Sequence, residues 1–160
     1  MLNNTNQGLT PLSEIGEFGL IRRLTQGLKL RNPGSIKGVG DDAAVILHGD
    51  TAMLISTDML IEGVHFDLTY YPLRHLGYKA AVVNISDITA MNGQATQMLV
   101  AMAISSRFSL EAVEEIFAGI RLACDRYGVD LVGGDTTSSL SGLSISITAI
   151  GTARPEEVVY

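Results

Sequence analysis

Cysteine, basic residues and long apolar runs are all scarce in this sequence, and each scarcity excludes a class of protein. The single cysteine, Cys124, rules out a disulfide framework within one chain and a cysteine-rich zinc site. Lysine and arginine total 11 against 17 acidic residues, so no basic cluster covers a nucleic-acid backbone. No apolar run approaches the ~18 residues of a membrane-spanning helix, and the first residues lack the basic and apolar regions of a secretory signal. We therefore expect a soluble, cytoplasmic protein without nucleic-acid or membrane partners.

The chain does contain helical and strand-like segments in alternation, which is typical of an α/β or α+β domain. Hydrophobic residues make up 46% of the sequence, enough for a folded core. Two strands joined by the short turn HGD argue against a wholly parallel sheet. We predict a flexible leader over 1–13, helices over 14–28, 73–91 and Leu110–Tyr127, and strands over Ala43–Leu47, Ala52–Asp58, 96–105, Val129–Val132 and Leu143–Ile150.

The stretch GVGDDA, which begins at Gly38, fits the G-x-G-x-x-A fingerprint of a dinucleotide-binding loop. That fingerprint requires a helix directly after the loop, because the helix N-terminus supplies the site for the pyrophosphate. The residues that follow here, AAVILHGDTAMLIST, contain two β-rich runs and a turn, with no helical period. The context therefore excludes a dinucleotide loop, and the two aspartates inside the motif need another explanation.

Aspartates lie near the ends of several predicted elements. Asp41 and Asp42 precede the first strand, Asp58 ends the second, and Asp135 follows a strand within GGDTT. Each of these could equally be a turn former or a helix cap. Asp87 is harder to explain in that way, because it lies on the helix face that also carries apolar residues. A carboxylate that points into a core needs a partner or a metal ion.

Oxygen ligands of this kind favour a hard divalent cation such as Mg²⁺, which proteins commonly hold with a few carboxylates, phosphate oxygens and water. The hydroxyls of Ser56, Thr57 and Thr136 stand beside these aspartates and add further oxygen donors. An acidic protein that handles phosphates needs such cations, since converging carboxylates would otherwise repel one another and the substrate.

Two glycine-containing loops extend the candidate site. The paired glycines of GGDTT would let a ligand approach the backbone closely, although a bulge without a ligand has the same sequence. His65, in EGVHFD, lies in the loop that leads away from Asp58. A structural role for this histidine remains open beside a substrate-binding one.

Four segments taken together resemble the thiamine-monophosphate kinases: GVGDDAAV, STDMLIEGVHF, YKAAVVNISDITAMNG and VGGDTT, in that order. The resemblance runs from about Glu14 to the last residue. It implies a PurM-like N-terminal ATP- and Mg²⁺-binding domain over 14–160, with a mixed four-stranded sheet packed with helices and a homodimer formed through that sheet. The family's C-terminal domain has no counterpart in this chain.

The resemblance further implies that ATP phosphorylates thiamine monophosphate to thiamine diphosphate by direct in-line transfer, with several Mg²⁺ ions. No side-chain base is expected, because the attacking group is already a phosphate oxygen. Asp41 would have a supporting role. Carried over by motif, the metal ligands would be Asp42, Ser56, Thr57, Asp58, Asp87 and Asp135; the nucleotide contacts Gly134, Asp135 and Tyr127; and the substrate contact His65.

Two alternatives stay open at this point. The first is another ATP-dependent kinase or synthetase of the same superfamily that acts on a different substrate. The second is a non-catalytic nucleotide- or metal-binding module that dimerises. Because the family's chain is roughly twice as long, we expect the 160 residues alone to be catalytically incompetent.

Overall fold

The computed structural model describes residues 8–160 of the chain, which form two compact units that divide after Arg31. The first unit contains helix α1, Leu12–Thr25, which has no buried side chain. Gly16 interrupts its helical backbone with a φ of 62°, a conformation that glycine adopts without strain. The helix starts before residue 14 and ends before Leu28, so both predicted bounds were displaced. Most of the predicted leader, residues 1–7, lies outside the described residues.

The second unit, Asn32–Tyr160, contains one mixed sheet and two further α-helices. The elements are β1 Ser35–Lys37, β2 Ala44–His48, β3 Thr51–Ile61, α2 Leu73–Ala90, β4 Gln94–Ser105, α3 Leu110–Tyr127, β5 Asp130–Ser139, β6 Leu143–Ala153 and the 3₁₀ helix Pro155–Glu157. Within residues 8–160, no helix is both long and apolar enough to cross a membrane.

The strand order in the sheet is β1-β2-β3-β6-β4-β5, and every neighbouring pair is antiparallel except the parallel pair β4–β5. The α/β prediction is confirmed, with six strands where the resemblance implied four.

The hydrophobic core lies between one face of this sheet and the helices. Strand β6 alternates in burial, and its apolar residues Leu143, Ile145 and Ile147 point towards the helices. The other face of the sheet, which we call the open face, carries the exposed side chains of Met59 and Leu99. Successive side chains of a strand point to opposite faces, so the register decides which residues meet the helices.

Helices α2 and α3 approach each other closely because glycines stand at their contact. A Cβ atom on Gly119 would lie 1.9 Å from the carbonyl oxygen of Arg74, and one on Gly77 would lie 1.9 Å from that of Ile116. No larger residue fits at either position without moving a helix. The glycines therefore fix the distance between α2 and α3.

Candidate metal- and nucleotide-binding site

Four aspartates line one cavity of about 530 Å³ between the loop before β2, strand β3 and helix α2. Asp41 and Asp42 come from the loop, Asp58 from β3 and Asp87 from α2, and Ser56 lies beside them. We call this space the carboxylate cavity. Five of the six residues predicted as metal ligands therefore line one space, on three different elements: Asp42, Ser56, Thr57, Asp58 and Asp87.

Helix α2 positions β3 through two hydrogen bonds. The Ser56 hydroxyl donates to the Asp87 carboxylate at 2.6 Å, and the Asp58 backbone N–H donates to the side-chain oxygen of Asn84 at 3.0 Å. Asn84 is fully buried and donates in turn to the carbonyl oxygen of Ala80. Asn84 was not predicted from the sequence, although its spacing of three residues from Asp87 places both on one helix face.

The glycine-rich loop reaches this cavity through a turn. Gly40 has a φ of 116°, and Asp41 accepts a hydrogen bond from the Asp42 backbone N–H while its carboxylate pairs with the Lys37 ammonium at 3.1 Å. The supporting role of Asp41 stays a prediction. Strand β2 begins at Ala44, so no helix follows the loop and the dinucleotide fingerprint is excluded by the structure as well.

The electrostatics of the carboxylate cavity favour a bound cation. Burial raises the pKa of Asp87, the hydrogen bond from Ser56 lowers it in part, and the negative charges of Asp58 and Asp42 raise it further. In the part of the chain that the structure describes, no three His, Cys, Asp or Glu side chains converge tightly enough to hold one metal ion. Separated carboxylates fit Mg²⁺, because that ion keeps several waters and phosphate oxygens beside one or two carboxylates.

Thr57 and Asp135 do not direct their side chains into this cavity. Thr57 is among the residues that line the cavity, but its hydroxyl donates to the carbonyl oxygen of Ile147 and contacts the hydroxyl of Thr148. The register aligns Met59 of β3, Ser146, Ala101 and Asp135 across the sheet, so Asp135 lies on the open face and inside β5. With strands spaced about 4.8 Å apart, Asp135 is roughly 14 Å from β3. The prediction that Asp135 follows a strand was wrong.

The predicted nucleotide contact Gly134 lines a different cavity, of about 410 Å³, together with Thr136 and Phe117. A Cβ atom on Gly134 would lie 1.8 Å from the carbonyl oxygen of Val100, so only glycine fits there. Tyr127 does not line this cavity, and its hydroxyl accepts a hydrogen bond of 3.5 Å from Tyr78. Phe117, an aromatic ring beside the glycines, was missed because it reads as an ordinary core position of an amphipathic helix.

His65 lines a small cavity of about 310 Å³ with Tyr70 and Tyr71. Its Nδ1 accepts a hydrogen bond from the Ile61 backbone N–H at 3.0 Å, which places the proton of the neutral ring on Nε2. The Lys79 ammonium donates to the carbonyl oxygen of His65 at 3.2 Å. The loop therefore offers Nε2–H as a hydrogen-bond donor, at a site separate from the carboxylate cavity.

The fold and the carboxylate cavity define an α/β domain with scattered oxygen ligands suited to a metal-bound phosphate. The profile of the family "AIR synthase related protein, N-terminal domain" matches residues 40–153. The chain belongs to this family.

The resemblance to thiamine-monophosphate kinases is also confirmed. The chain is 34% identical over 157 residues to the thiamine-monophosphate kinase of Bacillus subtilis, which covers 90% of this chain and 48% of that protein. It is 34% identical to the enzyme of that name from Aquifex aeolicus, over 88% of this chain and 43% of that protein. The solved structure "AaThiL complexed with AMPPCP and TMP" superposes with a TM-score of 0.81 at 32% identity, covering 92% of this chain and 45% of that one. The chain thus spans about half the length of the relatives it matches.

Proposed function

We propose that this chain provides the ATP- and Mg²⁺-binding part of a kinase that converts thiamine monophosphate to thiamine diphosphate. The observation that carries the proposal is the meeting of Asp42, Asp58 and Asp87 around one cavity, on three separate elements. The relatives named thiamine-monophosphate kinase support the reaction. The similar structure named with AMPPCP, an analogue of ATP, and with TMP, which we take as thiamine monophosphate, supports the two substrates.

The chemistry of phosphoryl transfer suits this arrangement. Negative charge spreads over the phosphoryl oxygens, and positioning with electrostatic stabilisation supplies most of the catalysis. Several bound Mg²⁺ ions would neutralise that charge. Asp42, Asp58 and Asp87 would hold these ions, Ser56 would fix the orientation of Asp87, and Asn84 would fix the backbone at Asp58. The acceptor is already a phosphate oxygen, so direct in-line transfer needs no side-chain base.

His65 would contact the phosphate of thiamine monophosphate. Its Nε2–H is the donor left free when Nδ1 accepts from Ile61, and a neutral imidazole donor suits a phosphate oxygen. The loop is held at its start, since Glu62 accepts hydrogen bonds from the Leu143 backbone N–H and from Arg107. This support keeps the donor in place before the substrate arrives.

A homodimer would explain the position of Asp135. Within one chain this carboxylate lies on the open face, roughly 14 Å from β3, too far to share a metal ion with Asp58. If Asp58 and Asp135 contact the same nucleotide, then Gly134 and Asp135 come from a second copy of the chain. The exposed Met59 and Leu99 give the open face an apolar surface for that pairing. Tyr127 lines neither the carboxylate cavity nor the cavity of Gly134, and its contact with the nucleotide stays a prediction.

We further propose that the 160 residues by themselves bind the substrates but do not turn them over at the rate of the longer relatives. The reason is that they match only about half of each relative's length. Another acceptor within the superfamily, or a non-catalytic binding module, is the competing function. The cytoplasmic location stays a prediction.

Titration calorimetry with thiamine monophosphate tests the substrate directly. The chain is first loaded with AMPPCP and Mg²⁺, and wild type is compared with His65→Ala and with His48→Ala, which removes an exposed histidine at the end of β2. We expect the affinity to fall at least ~10-fold in His65→Ala and to stay unchanged in His48→Ala, since a hydrogen bond to a charged group is worth about 1.5–3 kcal/mol. Absence of binding to the loaded wild-type chain would favour another acceptor.

A further inference from the structure

A second large cavity, of about 610 Å³, lies between the start of α2 and the last turns of α3. Its basic side chains are Arg74, His75 and Lys79 from α2 and Arg126 from α3. We call this space the basic cavity. It shares no residue with the carboxylate cavity and none with the cavity that Gly134 lines.

Among residues 8–160, no carboxylate forms an ion pair with Arg74, Lys79 or Arg126 of the basic cavity. In the described part of the chain, ion pairs join Lys37 to Asp41, Arg107 to Glu62 and Arg154 to Glu157. None of them involves Arg74, Lys79 or Arg126. In a chain of net charge −6, three of the 11 basic residues therefore face one space without compensation. A concave surface lined by one sign of charge concentrates ions of the opposite sign.

The walls of the basic cavity are aromatic and apolar. Tyr71, Tyr78 and Leu122 line it beside the charged groups. The hydrogen bond of 3.5 Å from Tyr78 to Tyr127 joins the two helices, and the Lys79 ammonium lies 5.6 Å from the centre of the Tyr71 ring. Flat rings next to guanidinium groups stack well on heterocyclic bases, while the cations suit phosphate oxygens.

We propose that the basic cavity binds an organic phosphate of nucleotide size through its phosphates and its flat ring. The volume lies within the range of about 300–1,000 Å³ that is usual for small-molecule sites. Arg74, Lys79 and Arg126 contact the phosphates, and the ring lies against Tyr78. Binding here needs no Mg²⁺, because the protein itself supplies the positive charge. This separates the site from the carboxylate cavity, which repels phosphates unless a cation is bound.

Titration calorimetry with ADP in excess EDTA tests this site on the 160-residue chain. Wild type is compared with Arg126→Ala, with Arg74→Ala, and with Arg121→Ala as the matched control. Arg121 is an exposed arginine of the same helix α3 that does not line the basic cavity. Asp58→Asn is the control for the carboxylate cavity, and circular dichroism verifies the fold of each variant.

We expect wild type to bind ADP without Mg²⁺, Arg126→Ala and Arg74→Ala to bind at least about tenfold more weakly, and Arg121→Ala and Asp58→Asn to match wild type within about twofold. No binding to wild type in EDTA would overturn the proposal. Equal losses in Arg126→Ala and Arg121→Ala would also overturn it, since they would reveal non-specific attraction to the helix surface. Neither result bears on Mg²⁺-dependent binding in the carboxylate cavity, so failure of this proposal and failure of the proposed function remain distinguishable.

Discussion

The Ser56 hydroxyl donates a hydrogen bond of 2.6 Å to the carboxylate of Asp87, and this contact joins strand β3 to helix α2 at the candidate site. It compensates only part of the cost of burying Asp87. The remaining cost appears as the raised pKa of that carboxyl, to which the nearby Asp58 and Asp42 also contribute.

Asp87→Asn should stabilise the metal-free chain near neutral pH. Because the pKa of Asp87 is raised on folding, its protonated form favours the folded state, and that stability is lost as pH rises through the folded-state pKa. Asparagine keeps the acceptor for Ser56 without the charge. The free energy of unfolding of the variant should therefore increasingly exceed that of wild type as pH rises. Urea unfolding in EDTA from pH 3 to pH 7.5 measures the difference.

In the presence of Mg²⁺, wild type should be more stable than Asp87→Asn. The cation stabilises the ionised carboxylate of wild type, and the variant lacks this ligand. Ser56→Ala is the companion variant. It removes the hydrogen bond that lowers the pKa of Asp87, and its loss of stability with rising pH should be steeper than that of wild type. A pH-independent difference between Asp87→Asn and wild type would contradict this account of the site.

Glu62→Ala should destabilise the chain by about 1–3 kcal/mol, because the backbone N–H of Leu143 would lose its acceptor in a partly buried position. Glu62→Gln keeps an acceptor oxygen and loses only the charge opposite Arg107, so it should cost less than about 1 kcal/mol. Urea unfolding at pH 7 compares the two variants. Equal losses would show that the ion pair with Arg107 matters more than the hydrogen bond.

Gly119→Ala should cost about 3 kcal/mol or more, because the added methyl group meets the backbone of α2 rather than a movable side chain. Gly133→Ala is the matched control, since the nearest atom, a methyl carbon of Leu99, is 4.0 Å from the added Cβ. Thermal unfolding followed by circular dichroism measures both. A tolerated Gly119→Ala would mean that α2 and α3 are not held at this distance.

Leu99→Asp should abolish the proposed homodimer while leaving the fold intact. Leu99 is 37% exposed on the open face, so an aspartate there is not buried in the core. Its charge should still disrupt pairing between two copies of the open face. Leu122→Asp, on an exposed position of α3, controls for an added surface charge. Sedimentation equilibrium gives the mass of each. If the wild-type chain stays monomeric at high concentration, a nucleotide site shared between two copies of the chain is excluded.

The helices of the second unit could be predicted from local signals. Ser109 caps α3 by accepting from the Ala112 backbone N–H, Gly128 ends it with a φ of 67°, and Asn92 follows α2 with a φ of 60°. Capping residues act within one turn, so a single sequence reveals them. The limits of α2 and α3 agreed with these signals within one residue.

Strand β5 could not be predicted from pattern alone. It is exposed along almost its whole length at the edge of the sheet, so its sequence GGDTTSS lacks the apolar alternation that marks a buried strand. The predicted strand therefore stopped at Val132, and Asp135 was placed after it. The face on which Asp135 lies depends on register with β4, which only the folded sheet determines.

The candidate site was predictable as a set of residue types and not as a geometry. Asp42, Ser56, Asp58 and Asp87 gather as the motifs and the resemblance indicated. Asn84 and Phe117 were not predicted as site residues, because a buried amide and an aromatic ring on a helix look like core residues in the sequence. Their contribution depends on what lies opposite them, which arises from the packing of α2 on β3 and of α3 beside β5.

The role that we propose for Asp58 is to bind nucleotide through Mg²⁺. AMPPCP is titrated into the 160-residue chain with Mg²⁺ and, separately, with EDTA, and the Mg²⁺-dependent part of the binding is compared between wild type, Asp58→Asn and Asp50→Asn. Asp50 lies in the exposed turn between β2 and β3, so its variant removes the same charge outside the carboxylate cavity. We predict that the Mg²⁺-dependent affinity falls at least about tenfold in Asp58→Asn and is unchanged in Asp50→Asn. Identical Mg²⁺-dependent binding by wild type and Asp58→Asn would contradict the account.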